Sequence, residues 1–198
     1  MVIGLTGGIG TGKSAVLQIL REMGVKTLSA DDIAKEILQP GNDAYNDVLA
    51  EFGEEILMSD GSVNKSALAE VIFNDENARN CLNKIMHPKI IKIMEEQVKE
   101  FKNNVSRGTF VLEIPLLFEC GLEKSVDNIW VVSAEPETQI RRLITRCSID
   151  EGEARKRILA QFPLDYKKSR ADIIINNDGS LKELKNSISK ICSKLHLP

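Results

Sequence analysis

Apolar residues along the chain follow two rhythms. Five short runs are largely apolar or β-branched: Val2 to Thr6, Val25 to Leu28, Phe110 to Ile114, Asn128 to Val132 and Asp172 to Ile175. Runs of that length without a clear polar face suit strands of a parallel sheet covered on both sides, because side chains alternate across a strand and both faces must be buried. Between these runs the apolar positions recur at helical spacing. Val16, Leu17, Ile19 and Leu20 predict a helix from Lys13 to Met23. From Ala30 to Asn103 the pattern is almost wholly helical, with stripes at Ile33, Ile37 and Leu38, at Leu68, Val71 and Ile72, and at Ile90, Ile91, Ile93 and Met94. This block reads as a helical insertion between the second and third strands, with Asp60-Gly61 marking a turn inside it. The segment from Glu135 to Lys168 is helical again and dense in cations: Arg141, Arg142, Arg146, Arg155, Lys156, Arg157, Lys167 and Lys168. Such a run reads either as a solvated helical face or as a lid.

Composition narrows the class. The 198 residues are 42% hydrophobic and 28% charged, enough to bury one core carrying appendages. A formal net charge of -3 argues against a broad basic face for nucleic acid, though not against a local cationic cleft. Cys81, Cys120, Cys147 and Cys192 show neither a C-x-x-C pair nor zinc-ligand spacing, so reduced thiols are expected. No stretch approaches a membrane span of about 20 apolar residues, and the few apolar residues after Met1 are too short for a signal peptide. A cytoplasmic protein that touches neither membrane nor nucleic acid is the expectation.

Gly7-Gly8-Ile9-Gly10-Thr11-Gly12-Lys13-Ser14 matches G-x-x-x-x-G-K-[ST] between a predicted strand and a predicted helix. Glycines let backbone amides and a helix N-terminus approach phosphate oxygens. Lys13 adds a positive charge near the β- and γ-phosphates, and Ser14 is a suitable Mg²⁺ ligand. ATP with Mg²⁺ is therefore the expected ligand pair. A GTPase switch is not supported: Asn64-Lys65 and Asn83-Lys84 lack the Asp of N-K-x-D, and D-x-x-G does not occur.

Asp31 and Asp32 follow the second strand and so stand beside the phosphate loop if the first two strands are neighbours. One carboxylate can take the acceptor hydroxyl's proton and aim its oxygen; the other reading is that one of them caps a helix beginning near Ile33. His87-Pro88 looks like a helix opening, with His87 either capping or facing a ligand. Glu113, ending the third strand, is either a Walker-B-type acid holding Mg²⁺ through water or an ordinary solvated strand end. Arg142 and Arg146 share a helix face at i and i+4 and can converge on one triphosphate.

These residues, together with Pro40-Gly41, Phe52-Gly53, Pro115-Leu116-Leu117-Phe118-Glu119, Gln161 and Ala171-Asp172, resemble the dephospho-CoA kinase family from end to end. The resemblance implies an α/β fold: a three-layer P-loop NTPase core with a parallel five-stranded sheet, a helical substrate-binding insertion and a helical lid. It assigns 1–29, 104–134 and 169–198 to the core, 30–103 to the acceptor domain and 135–168 to the lid. It implies transfer of the ATP γ-phosphate to the ribose 3′-hydroxyl of dephospho-CoA, with Asp31, Lys13 and Arg142 catalytic. Nucleotide contacts fall to Gly8, Ile9, Gly10, Thr11, Gly12, Lys13, Ser14, Ala15, Arg142, Arg146 and Asn177. Acceptor contacts fall to Asp31, Lys35, Lys65, His87, Pro115 and Leu116, and metal to Ser14 and Glu113. A monomer is favoured. The chain departs from the family pattern at Ser29, where Asp is usual, at Ala15 for Thr, at Lys65 for Arg and at Glu113 for Asp. A nucleoside monophosphate kinase and a nucleotide-binding regulatory protein are the rival readings.

Overall fold

The computed structural model describes residues 1–105 and 108–197; Ser106, Arg107 and Pro198, all within ranges assigned to the core from sequence, lie outside the described residues. The chain divides into two compact units, one formed by Met1–Ser29 with Glu100–Pro198, the other by Ala30–Lys99.

The first unit is built on a sheet of five parallel strands, β1 (Val2–Gly7), β2 (Lys26–Ser29), β3 (Phe110–Glu113), β4 (Asn128–Ser133) and β5 (Ile173–Asn176), in the order β2-β3-β1-β4-β5. All of β1 and β3 is buried, whereas the edge strands β2 and β5 each leave residues exposed. That difference explains why the central strands read as near-continuous apolar runs. Helix α1 (Lys13–Glu22) follows β1, and its predicted stripe is buried: Val16, Leu17, Ile19 and Leu20 pack with Ile3, Leu5, Trp130 and Ile175. Gly4 sits within β1 because Leu117 packs against the strand there; a Cβ at Gly4 would come within 2.6 Å of that side chain.

The second unit begins where β2 passes directly into α2 (Ala30–Ile37). It continues through α3 (Asp43–Phe52), α4 (Lys65–Asn74) and most of α5 (Glu76–Asn104). The Asp60-Gly61 turn is present: Asp60 Oδ1 accepts from the Ser62 amide at 2.9 Å, and Gly61 takes a φ of 80°. The compact unit closes at Lys99 rather than at Asn103. The reason is that the last turns of α5 belong with the sheet: Phe101 is buried against Phe110 of β3, ring centroids 5.2 Å apart. After β4 come α6 (Pro136–Cys147), α7 (Glu151–Leu159) and α8 (Leu164–Ser169), and the chain ends on α9 (Leu181–Lys194). α9 opens with a reciprocal capping box between Ser180 and Glu183 and buries Leu184, Ile188 and Cys192 in the sheet core. Among the described residues no helix is long and apolar enough to cross a membrane.

Candidate active site

β1 delivers the chain into a loop that few side chains would permit. Gly10 and Gly12 hold φ of 78° and 93°, a left-handed backbone that favours glycine. A Cβ on Gly10 would lie 2.9 Å from the Gln139 carbonyl oxygen, and one on Gly12 would run into the Asn177 carboxamide nitrogen. Thr11 Oγ1 donates to the Gly8 carbonyl at 2.8 Å. The Lys13 ammonium folds back over the loop and donates to the carbonyls of Gly7 at 3.2 Å and Gly8 at 3.0 Å, leaving the residue buried. α1 begins at Lys13 without a side-chain cap, so its first amides and the positive end of its dipole remain for an anion. Ser14 is exposed in that first turn. Ala15 donates its amide to the Gly12 carbonyl at 3.0 Å, closing the turn.

Side chains from the C-terminal part of the chain hold this loop in place. Arg142 Nη1 donates to the carbonyls of Thr11 at 3.2 Å and Gly10 at 3.4 Å, and its Nη2 to the Asn177 carbonyl at 2.8 Å. Asn177 is buried and donates its own carboxamide to the Thr11 carbonyl at 2.8 Å. Gln161 Oε1 accepts from the Ile9 amide at 2.8 Å. Ile9 itself packs with Ile140, Leu143 and Ala154 of α6 and α7, so those helices are joined to the loop by apolar contact as well as by polar ties.

Several residues singled out from sequence sit otherwise than expected. β2 is not a neighbour of β1, since β3 lies between them. Asp31 and Asp32 are not caps: the strand enters the helix without a break, so both lie inside the first turn of α2, exposed. Asp32 pairs with Lys35 at 2.8 Å. His87-Pro88 does not open a helix either. Both lie inside α5, which begins eleven residues before His87, at Glu76. His87 is half-buried, and burial pushes its imidazole below the ordinary value. Lys65 is the first residue of α4, exposed, just after Asn64 caps that helix through the amides of Ser66 and Ala67. Glu113 is not a solvated strand end: it is 4% exposed and in register with Leu5 of β1 and Ser29 of β2. Arg142 and Arg146 share α6, but Arg142 is engaged by the loop carbonyls whereas Arg146 is exposed in the last turn.

Beyond β3, Pro115 and Leu116 are half-buried, and the Pro115 carbonyl accepts from Thr6 Oγ1 at 3.2 Å and from Lys167 Nζ at 3.4 Å. Lys167, counted from sequence with the charged lid face, is wholly buried and paired with Glu119 at 2.8 Å. Gln139, Gln161 and the Glu119–Lys167 pair are the loop-side residues that sequence reasoning assigned no role. The partners of Gln161 and of the Glu119–Lys167 pair lie far away in the chain, and only the Gln161 and Glu119 positions within the family motifs pointed towards them.

A model of the family described as dephospho-CoA kinase matches residues 1–183. The chain belongs to the dephospho-CoA kinase family. A dephospho-CoA kinase of Bacillus cereus is 44% identical over 191 residues, 96% of this chain and 95% of that one. Among solved structures, a dephospho-CoA kinase from Campylobacter jejuni is similar at 27% identity with a TM-score of 0.72, covering 98% of this chain and 96% of its own. A protein from Thermus thermophilus, 29% identical, superposes with a TM-score of 0.76 over 98% of this chain and 97% of that one. Membership makes the protein a kinase on an α/β P-loop core that uses ATP.

Proposed function

We propose that the protein transfers the γ-phosphate of ATP to the 3′-hydroxyl of the ribose of dephospho-CoA, giving coenzyme A and ADP, the last step of coenzyme A biosynthesis. The observation that carries the reading is the braced phosphate loop, with Lys13 folded over it and α1 starting uncapped behind it, in a chain matched by the family model from residue 1 to residue 183. Phosphoryl transfer asks little covalent chemistry of a protein; it asks for fixed positive charge and for a hydroxyl aimed in line. The Lys13 ammonium supplies the charge, with the loop amides other than those of Ile9 and Thr11, which donate to Gln161 and to the Gly8 carbonyl. Arg142, with Arg146 and Asn177, completes the nucleotide side, the three helices of 135–168 acting as the lid.

Asp31 is the general base: an exposed carboxylate that takes the proton from the ribose hydroxyl as the bond to phosphorus forms. Lys35, Lys65 and His87 of the helical unit, and Pro115 and Leu116 after β3, are the proposed acceptor contacts. Mg²⁺ suits the donor set, because it takes few protein oxygens and relies on phosphates and water. Ser14 is an exposed hydroxyl at the loop, and Glu113 is a carboxylate at the end of the strand beside β1. Bound, the ion neutralises charge on the β- and γ-phosphates. A cytoplasmic monomer acting on a small molecule completes the reading.

The test is ADP release with MgATP and purified protein, comparing dephospho-CoA with AMP, CMP, adenosine and no acceptor. Turnover with dephospho-CoA alone, with coenzyme A formed, supports the assignment. Preference for AMP or CMP would make the protein a nucleoside monophosphate kinase instead.

A further inference from the structure

A buried lysine is expensive unless its charge is met, and a buried ion pair seldom gains stability over apolar packing. Lys167 nevertheless sits at 0% exposure in α8, its Nζ 2.8 Å from Glu119 Oε1 and 3.4 Å from the Pro115 carbonyl. The same Glu119 oxygen accepts from the Phe162 amide at 2.9 Å. Glu119 Oε2 is buried without a hydrogen-bond partner. Both contacts of this carboxylate therefore converge on Oε1. They fix the short connection between α7 and α8 at Phe162, one residue from Gln161, whose Oε1 holds the Ile9 amide at 2.8 Å. Aromatic contacts seat the connection from the other side. Tyr166 of α8 meets Phe118 edge-on at 5.9 Å and Phe162 edge-on at 5.4 Å between ring centroids.

We infer that the buried Glu119–Lys167 pair is a positioning device that keeps Gln161 on the Ile9 amide and so presets the phosphate-binding loop before nucleotide arrives. Lys167 and Glu119 are positioning residues that act through Gln161, and Gln161 acts on the loop backbone. The inference rests on reading the loop as the ATP site and does not depend on which acceptor is used. A pair that merely stapled α8 to the sheet would stabilise the fold equally well whatever residue stood at position 161.

The experiment is a double-mutant cycle on the full chain with Gln161→Ala, Lys167→Met and the two combined. It reads ATP affinity by calorimetry and the Ile9 amide proton shift by ¹⁵N-labelled NMR. Should Lys167→Met fail to fold because Glu119 is left charged and alone, the joint replacement Glu119→Leu with Lys167→Met removes both charges and takes its place. The expected result is an Ile9 amide proton that moves upfield in both arms. ATP binding weakens by roughly 5- to 10-fold in each, as for loss of one hydrogen bond, and the combination is no weaker than Gln161→Ala alone. An unmoved Ile9 resonance in a folded Lys167 variant, or losses that multiply in the combination, would overturn the device. Wild-type turnover with dephospho-CoA is measured alongside; its absence would sink the proposed acceptor while leaving the ATP cycle to decide the device by itself.

Discussion

Between Gly7 and Ser14 the backbone is held by Arg142, Gln161 and Asn177, reaching in from three different segments. Between Ala30 and Lys35 the carboxylate of Asp31 stands exposed on the first turn of α2, beside Asp32, which pairs with Lys35. Under the proposed function the two stretches serve the two halves of one reaction, and they are organised in opposite ways. Donors that stabilise charge work best when they are fixed beforehand, since they then pay no reorganisation in the transition state. A base must instead meet a hydroxyl that arrives with the substrate, and an exposed carboxylate on a helix turn leaves room for that. Rigidity at the phosphate and openness at the base are the division of labour that the proposed reaction calls for.

Within the fixed region, removing the Lys13 charge should do the greatest harm. Lys13→Ala takes away the ammonium held over Gly7 and Gly8; kcat measured by ADP release should fall by about 10²–10³ while circular dichroism stays unchanged. A gentler blow to the same region is Arg142→Lys. It keeps the charge but cannot span the carbonyls of Thr11 and Asn177 as the guanidinium does, so ATP should bind roughly tenfold more weakly by calorimetry. Equal affinity in that variant would mean the loop does not need its clamp.

The smallest effect belongs to the helical unit. Burial lowers the His87 pKa in the folded state from its ordinary 6.5, so below that value the unfolded chain binds the extra proton more readily. The stability this neutral imidazole contributes is whole above about 6.5 and is lost as pH falls through the lowered folded value. Urea midpoints should therefore drop on acidification in the wild type and drop less in His87→Gln; matching slopes would remove His87 from the account.

How legible this was from sequence differs in the same way between the two regions. The five strands and α1 were readable because short apolar runs and the P-loop spacing are local, and no boundary moved by more than one residue, as with Lys26–Ser29 for β2. His87 was misplaced because Pro88 is as compatible with a first helical turn as with the interior position it occupies in α5. Asp31 and Asp32 were misread as possible caps because nothing local announces that β2 enters α2 without a break. Lys167 looked like part of a solvated cationic face, and only the distant Glu119 explains its burial. The ties of Arg142, Gln161 and Asn177 to the loop span more than a hundred residues of chain and leave no spacing signal.

The division of labour itself can be put to one measurement: kcat with dephospho-CoA at saturating ATP for Asp31→Asn beside Asp32→Asn, with ATP affinity determined for each. The account expects Asp31→Asn to lose roughly 10²–10⁴ in kcat with ATP binding intact, and Asp32→Asn to stay close to wild type. An Asp31→Asn enzyme that turns over normally would contradict it, leaving the braced loop without its base.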